Sequence, residues 1–241
     1  DRMELCSLKD LEHYKKHTII PNIGLESGSK TLLYRMGKIL GKDENSMKEG
    51  INHFLKKTIS IIQKANELDL PVVFYYIIGS IGADRETIRE SMNFFFSPRF
   101  EGKSLVEKYK INLYLSKFVA LFGSLFYERG GEEYGAKIYY KKWWKIFDDK
   151  QAVYAALVDP SKNLSLNDAL GHFYDFIVKL WKYQREIGNS NYYNFQKFYA
   201  IKQQKAVLTK LSQELATEEI KQKPDDSNVY REEKTGCLNH S

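Results

Sequence analysis

Hydrophobic positions follow two different periods along the first half of this 241-residue chain. Apolar residues recur every three or four positions, as they do on one face of a helix, in segments 8–16, 30–40, 46–68 and 83–96. Runs of β-branched and aromatic residues lie between these segments and predict strands at 18–25, 71–79 and 110–119. The alternation of strand and helix predicts βαβ units, and therefore an α/β fold with a parallel sheet and right-handed crossovers.

The second predicted strand differs from the others, because nearly every position of 71–79 is apolar. Such a run is typical of a parallel sheet that is covered by helices, so we expect this strand to be buried on both faces. We expect the three strands to be parallel neighbours with helices on one face. Segment 122–131, which follows the third strand, predicts a turn.

Two long segments of the second half are amphipathic and crowded with aromatic residues. Segments 134–157 and 165–188 therefore predict helices, and the stretch from Ser165 to Asp168 resembles an N-terminal cap for the second of them. His172 lies on the apolar side of that helix, where a core histidine is favoured over a metal ligand.

The change in character along the chain predicts three parts. The first is the α/β region, 1–130, and the second is a helical accessory region, 131–215. The polar composition of 216–241 is typical of a disordered tail.

Composition narrows the classes of function. The chain is 43% hydrophobic, which suffices for a sizeable core, and its 37 basic and 31 acidic residues favour an ordinary solvated surface despite a net charge of +6. No apolar run reaches the roughly 20 residues of a membrane-spanning helix. The two cysteines, Cys6 and Cys237, form no disulfide framework, so we expect a cytoplasmic protein that does not enter a membrane.

Polar loops that contain glycine follow the first two predicted strands. The first strand ends in Glu26-Ser27-Gly28-Ser29 and the second in the glycine–serine stretch 79–82. In parallel sheets ligands bind at the carboxyl ends of the strands, so the two loops are expected to share a pocket. Glycines there would let a ligand approach the backbone; the alternative is that they only make tight turns.

These motifs and their order resemble the radical SAM enzymes, in particular the branch that includes cobalamin-dependent members. The stretch "IGLESGSKTLLYRMGK" is similar to the family's strand ending in G-[ILV]-E-S-G-S, followed by L-x-x-M-x-K, and "IIGSIGADRET" is similar to its next strand end. "FVALFGSLFYERG" resembles a later segment, and Asp1-Arg2-Met3 the tail of the preceding strand. The resemblance covers about residues 1–130 and implies the carboxyl-terminal half of a partial parallel (βα) barrel.

The resemblance also implies a site for S-adenosylmethionine (SAM). In the complete enzymes a [4Fe-4S] cluster chelates the amine and carboxylate of SAM and, once reduced, splits it to a 5′-deoxyadenosyl radical; some members transfer a methyl group. Glu26, Ser27 and Ser29 would then hold the methionyl or ribose part. Lys38, from L-x-x-M-x-K, would pair with the carboxylate, the alternative being a solvated lysine at a helix end. Gly79 would lie near the adenine.

One departure from the family pattern limits what this chain does alone. The CxxxCxxC loop, whose three thiolates bind the cluster, is absent, and Cys6 and Cys237 cannot replace three ligands. Because the chain begins at Asp1 and resembles the barrel only from about its third strand, we expect a carboxyl-terminal fragment, with the amino-terminal half of the barrel as its missing partner. The substrate stays open, as does a preceding cobalamin-binding domain, so cobalamin is a candidate second cofactor.

Other interpretations compete with the fragment. The main alternative is a degenerate relative without a cluster that acts as a binding or regulatory module. A dinucleotide-binding domain is weaker, since "GSIGAD" lacks the GxGxxG spacing. Nucleic-acid binding through the basic and aromatic segment 191–215 is less favoured than a packed helix with snorkelling lysines. For that region we prefer an accessory role that closes the barrel and shapes the substrate site.

Overall fold

Three parallel strands form the centre of the molecule. The computed structural model describes residues 6–39, 41–118, 123–139 and 158–189. The strands within them are β1 (Asn22–Glu26), β2 (Val73–Ile78), β3 (Pro98–Phe100), β4 (Lys103–Ser104), β5 (Asn112–Lys117), β6 (Lys137–Ile138) and β7 (Val158–Asp159). The central sheet has the order β1-β2-β5, and both of its pairings are parallel. The predicted parallel neighbours are therefore confirmed.

Most of the described helices begin where a polar side chain accepts a hydrogen bond from one of their first backbone N–H groups. They are α1 (Leu8–Lys16), α2 (Lys30–Arg35), α3 (Glu44–Glu67), α4 (Arg85–Phe96), α5 (Leu105–Lys108), α6 (Leu125–Tyr134) and α7 (Leu166–Glu186). Capping boxes start α1, α3 and α4, where Ser7, Asp43 and Asp84 each accept a hydrogen bond from the third residue of the helix. The helix predicted at 30–40 ends earlier, because Gly37 adopts a left-handed φ of 59°.

The two faces of the central sheet differ in burial. Along β2, Phe74, Tyr76 and Ile78 are buried, whereas Tyr75 between them is 40% exposed. The packed face consists of Ile23, Leu25, Phe74, Tyr76, Ile78, Leu113 and Leu115. The open face, whose described side chains are exposed or half-buried, consists of Asn22, Gly24, Glu26, Val73, Tyr75, Ile77, Asn112, Tyr114 and Ser116. The expectation that 71–79 is buried on both faces is therefore wrong: the run is apolar on both sides, but only one side lies in the core.

Helices α3, α4 and α7 pack against the packed face, as predicted for one face of the sheet. Phe54 of α3, Phe95 of α4 and Phe176 of α7 belong to the same core cluster as Phe74 and Tyr76. The ring of Phe176 stacks on that of Tyr76 with centroids 5.3 Å apart, and the ring of Phe95 meets Tyr76 edge-on at the same distance. Such aromatic pairs add about 0.5–1.5 kcal/mol each to the stabilisation by burial.

Helix α7 belongs to the predicted accessory region but contributes to the central core. Ser165 caps it by accepting a hydrogen bond from the backbone N–H of the third helical residue, so the predicted cap and helix are confirmed. At the other end, the Gln184 side chain is 3% exposed, accepts from the backbone N–H of Ile111 at 2.7 Å and donates to the carbonyl of Val106 at 2.8 Å. These bonds fix α7 against the amino end of β5. A domain boundary near residue 130 stays a prediction.

Sequence patterns fail at the end of the first half of the chain. The turn predicted at 122–131 is wrong, because Ser124 caps α6 there, accepting from the backbone N–H of Tyr127 at 3.2 Å. The pair Gly130-Gly131 suggests a turn but lies inside this helix. The helix instead ends at Gly135, whose φ is 63°.

Short strands also replace part of a predicted helix. Lys137–Ile138 (β6) pairs antiparallel with Val158–Asp159 (β7), inside the segment 134–157 and just beyond it. The rest of that segment, as well as 191–215 and 216–241, lies outside the described residues. Strands β3 and β4 form a further antiparallel pair that no prediction anticipated.

The mixed α/β architecture with a parallel sheet is established, and its finer classification is not. Three neighbouring parallel strands are common to many α/β folds, so a partial barrel of the radical SAM type stays a prediction. None of the described helices is both long enough and apolar enough to cross a membrane.

Candidate functional site

Glu26 ends β1 in a strained conformation. Its φ is 63°, in the left-handed region that side chains other than glycine rarely adopt. The backbone N–H of Ser27 donates to the carbonyl of Leu25 at 2.8 Å and closes a three-residue turn centred on Glu26. The pairing with β2 shifts at the same point, since Gly24 lies opposite Tyr75 but Glu26 opposite Tyr76. Strain of this kind costs on the order of 1 kcal/mol or more and often marks a functional position.

Lys38 reaches the Glu26 carboxylate from the end of α2. Its ammonium lies 3.4 Å from Glu26 Oε1, and the two side chains are 14% and 26% exposed respectively. Gly37 places Lys38 there by its left-handed turn, after which the Lys38 backbone N–H bonds the Leu33 carbonyl at 3.0 Å. The ammonium also lies 5.9 Å from the centre of the Phe54 ring. Lys38 is therefore not the solvated lysine of the alternative interpretation.

Gly24 provides the space for this ion pair. A methyl group built on Gly24 would lie 2.5 Å from Glu26 Oε1 and 3.5 Å from Lys38 Nζ. The pair thus occupies the position that a side chain at residue 24 would take at the edge of the open face. This explains in physical terms why a glycine stands two residues before Glu26.

The rest of the first loop turns inward. Ser27 and Ser29 are both 0% exposed. The Ser27 hydroxyl shares a hydrogen bond with the Ser91 hydroxyl at 3.1 Å, and it accepts from the Ser29 backbone N–H at 3.0 Å. The Ser29 hydroxyl caps α2 through Leu32 N–H at 3.1 Å and donates to the Glu90 carboxylate. The described hydrogen bonds of these two predicted ligand residues are all made to other groups of the protein.

Gly28 is required by packing. A methyl group there would lie 2.7 Å from the Cβ of Phe94 in α4. Its backbone N–H donates to the hydroxyl of Tyr76 at 3.4 Å. Tyr76 is fully buried, and burial raises the pKa of its phenol to about 12. The loop after β1 is thus tied to β2 and α4 behind the sheet.

The second glycine loop, after β2, is closed by α7. Gly79 is buried, has a φ of 71° and leaves no room for a side chain: a methyl group would lie 2.9 Å from the Cβ of Ala169. Gly82 donates its backbone N–H to the Pro160 carbonyl at 3.1 Å. The cavity beside Gly79, which His172 also lines, measures about 10 Å³ and holds at most one water.

The structure thus brings together only part of the predicted site. Glu26 and Lys38 form a pair that solvent reaches, whereas Ser27, Ser29 and Gly79 are buried. Gly79 meets α7 where the resemblance implied adenine.

One aromatic residue beside the pair escaped the sequence interpretation. Tyr75 is 40% exposed on the open face, directly opposite Gly24, and its ring lies 4.9 Å from that of Tyr114 on β5. The sequence contains a feature that could have predicted this position. Successive side chains of a strand point to opposite faces, so Tyr75 and Tyr76 cannot both lie in the core.

A larger cavity lies at the other end of the sheet, away from these side chains. It measures about 400 Å³ and is lined by the amino ends of β2 and β5 together with the end of α3. Its polar lining is used for packing: the Asn66 amide donates to the Lys110 carbonyl and accepts from the Lys110 N–H, at 2.9 Å and 2.8 Å. Ligands of parallel sheets bind at the opposite ends of the strands, so we place the candidate site at Glu26 and Lys38.

No metal centre is evident in the parts of the chain that the structure covers. Those residues contain no group of three histidine, cysteine, aspartate or glutamate side chains placed to hold a metal ion. Cys6 is buried and free, and burial raises the pKa of its thiol, which disfavours the thiolate that an iron–sulfur cluster needs. With two cysteines in all, the chain does not fit a [4Fe-4S] cluster with three thiolates of its own.

Comparison with known proteins assigns the chain to no family. No protein-family model matches the chain, and no curated protein matches it significantly. The similarity to radical SAM enzymes therefore rests on the motifs alone.

Proposed function

We propose that this chain contributes part of an S-adenosylmethionine site, as the carboxyl-terminal half of a radical SAM partial barrel. The observation that carries the proposal is the ion pair of Glu26 and Lys38 at the carboxyl end of β1, beside the open face of the sheet. Glu26 would bind the ammonium or sulfonium of SAM, and Lys38 its carboxylate.

The charges of the pair support this assignment. SAM is a zwitterion at its amino-acid head, so an anion and a cation held side by side match it in sign. The 3.4 Å separation of Glu26 and Lys38 is longer than the optimal distance of a charge-assisted hydrogen bond, about 2.7–2.9 Å. Partial burial strengthens their interaction with a ligand relative to fully solvated charges.

The other predicted ligand residues have a supporting role in this proposal. Ser27 and Ser29 fix the loop that follows Glu26, through Ser91 and Glu90 of α4. Gly79 lets α7 approach the end of β2. The contact with SAM is thereby assigned to Glu26 and Lys38, and not to the buried hydroxyls.

The reaction belongs to a larger assembly in this proposal. A [4Fe-4S] cluster supplies the electron that cleaves SAM in the complete radical SAM enzymes, and its ligands would come from the amino-terminal half of the barrel. The residues of this chain bind and orient SAM. The cytoplasm, a reducing compartment, suits both that cluster and the free thiol of Cys6.

A binding or regulatory module without a cluster is the second candidate. The 241-residue sequence has two cysteines, too few for the three thiolates that bind the cluster, and this favours the module. The coding DNA upstream of Asp1 separates the two candidates: an in-frame CxxxCxxC motif supports the enzyme, and a start codon at the boundary supports the module.

Titration calorimetry of the 241-residue chain with SAM tests the site itself. We expect Glu26→Gln and Lys38→Met each to weaken SAM binding by about tenfold to a hundredfold, because a hydrogen bond to a charged group contributes roughly 1.5–3 kcal/mol. The matched control is Glu12→Gln, which removes another ion pair, the one between Glu12 of α1 and Lys64 of α3 at 3.0 Å. It should leave SAM affinity unchanged.

A thermal melt of each variant distinguishes a ligand site from a structural ion pair. If Glu26 serves only the fold, Glu26→Gln lowers the melting temperature and leaves the SAM affinity of the chain as it was. That result, or failure of the unmodified chain to bind SAM, would overturn the proposal.

A further inference from the structure

The open face of the sheet carries an aromatic row beside the ion pair. Gly24, Tyr75 and Tyr114 lie opposite one another in the register of β1, β2 and β5. The rings of Tyr75 and Tyr114 are 4.9 Å apart and inclined by 45°. Tyr75, at 40% exposure, is the most accessible of the side chains along β2.

The row has a charged end and an aromatic end. Gly24 contributes no side chain, and the Glu26–Lys38 pair fills its place, so the pair is the neighbour of Tyr75 on the β1 side. Strands lie about 4.8 Å apart, so the row from the pair to Tyr114 spans on the order of 10 Å. This span is comparable to the separation of the amino-acid head and the base in an extended SAM molecule.

We propose that Tyr75 is the stacking platform for the adenine of SAM, with the adenosine part lying across the open face from β1 toward β5. This inference rests on the proposed function and adds a residue and a location to it. A tyrosine offers a flat π-surface to a nucleobase, which pairs well with such rings in an offset stack. Adenine would then lie on the accessible ring of Tyr75 and not beside the buried Gly79, where a methyl group would already lie 2.9 Å from Ala169.

The charges favour this occupant over a purely apolar one. An apolar surface laid on this face would remove water from Glu26 and Lys38 without replacing its hydrogen bonds, at a cost in free energy. A ligand with an ammonium, a carboxylate and a planar ring matches the charged end and the aromatic end together.

Three ligands and three variants test the platform in the 241-residue chain. Calorimetric titrations use SAM, adenosine and methionine. We expect Tyr75→Leu to weaken SAM and adenosine binding by about tenfold and to leave methionine binding unchanged, because stacking on one aromatic ring has about that effect. Tyr75→Phe keeps the ring and should retain affinity. The control Tyr34→Leu removes a tyrosine of similar exposure, 37%, from α2 and should change nothing.

The outcomes separate this inference from the proposed function. If SAM binds and depends on Glu26 but Tyr75→Leu keeps full affinity for SAM and adenosine, the platform is wrong and the SAM site stands. If neither SAM nor adenosine binds to the unmodified chain, both are overturned. Light scattering supplies a further check: a dimer that Tyr75→Leu converts to monomer, with no adenosine binding, would show that a second copy covers this face instead.

Discussion

The first two strands of the sheet both end in a polar loop with glycines, yet the two ends differ in what they leave accessible. After β1 the ion pair of Glu26 and Lys38 remains 26% and 14% exposed. After β2 the loop that begins at Gly79 is buried against α7. A glycine after a parallel strand therefore has two physical explanations, and only one of them involves a ligand.

The difference comes from what arrives later in the chain. Ala169 and Pro160, about 80 to 90 residues beyond Gly79, close the end of β2, with Gly79 as the point of contact. At the end of β1 the corresponding space, beside Gly24, is taken by charged side chains from the same loop region. An end that is covered by α7 contributes to stability, whereas an end with accessible charges is open to function.

Substitution of Gly79 should give the largest effect on stability. Gly79→Ala forces a side chain into a left-handed conformation, at about 1–2 kcal/mol, and into contact with Ala169, which adds an overpacking cost of about 1–3 kcal/mol. We expect urea denaturation to show a loss of about 2–5 kcal/mol in the free energy of unfolding.

Two further variants separate the causes of that loss. Gly188 has a similar φ of 68° with nothing within 4 Å of an added methyl group, so Gly188→Ala measures the backbone strain alone. The double variant Gly79→Ala with Ala169→Gly removes the contact between the two side chains. Its loss of stability should therefore be smaller than the sum of the losses of the two single variants. Strict additivity would show that α7 does not press on Gly79, and the contrast between the two strand ends would lose its basis.

Tyr76, which binds the loop after β1, should make a contribution to stability that depends on pH and is intermediate in size. The Tyr76 hydroxyl accepts from Gly28 N–H, and burial raises the pKa of this phenol from 10.0 to about 12. An unfolded tyrosine loses its proton near pH 10, so the stability that the neutral hydroxyl provides is fully present below pH 10. It is lost as the pH rises from 10 to about 12, by on the order of 3 kcal/mol in total.

The comparison with Tyr76→Phe isolates this group from the other tyrosines of the chain. The variant is less stable at pH 8, because it leaves the Gly28 N–H without this partner. As the pH rises through 10 to 11.5, the unmodified protein should lose stability faster than the variant, so that the gap between them shrinks. A gap that stays constant in chemical denaturation over this range would contradict the burial of the Tyr76 hydroxyl.

Local patterns predicted the elements, and distant contacts decided the site. The period of the apolar residues was enough for β1, β2 and β5 and for α7, whose start at Ser165 was visible as a cap. The burial of Gly79 was not predictable in this way, because it depends on Ala169, which lies 90 positions away. The helix α6 was missed because Gly130 and Gly131 weigh locally against a helix that tertiary contacts support.

The residues of the candidate site were predictable from the sequence, but the contact between them was not. Glu26 could be proposed from its place at the end of a predicted strand, and Lys38 from the resemblance of its motif to L-x-x-M-x-K. Their direct pairing could not, since it depends on the left-handed turns at Glu26 and Gly37 that bring the two side chains together.

Gly24 offers the smallest effect on stability and the sharpest contrast with Gly79. The methyl group of Gly24→Ala would meet Glu26 Oε1, the end of a flexible side chain, at 2.5 Å and not a rigid Cβ. The carboxylate can rotate away at little cost, and alanine also restricts the unfolded chain, which stabilises by about 0.4–1 kcal/mol where the backbone permits it. We therefore expect a change in the free energy of unfolding within about 1 kcal/mol of zero.

The same substitution should nevertheless displace the Glu26 carboxylate from its place beside Lys38 and weaken SAM binding by about tenfold. Gly171→Ala is the matched control, because it adds a methyl group in open space on α7, where it should stabilise the helix slightly and leave SAM binding unchanged. Denaturation and SAM titration of both variants check the pair of expectations. If Gly24→Ala unfolds the chain as Gly79→Ala does, both strand ends serve packing; if it folds and binds SAM as before, the geometry of the ion pair is irrelevant to the ligand.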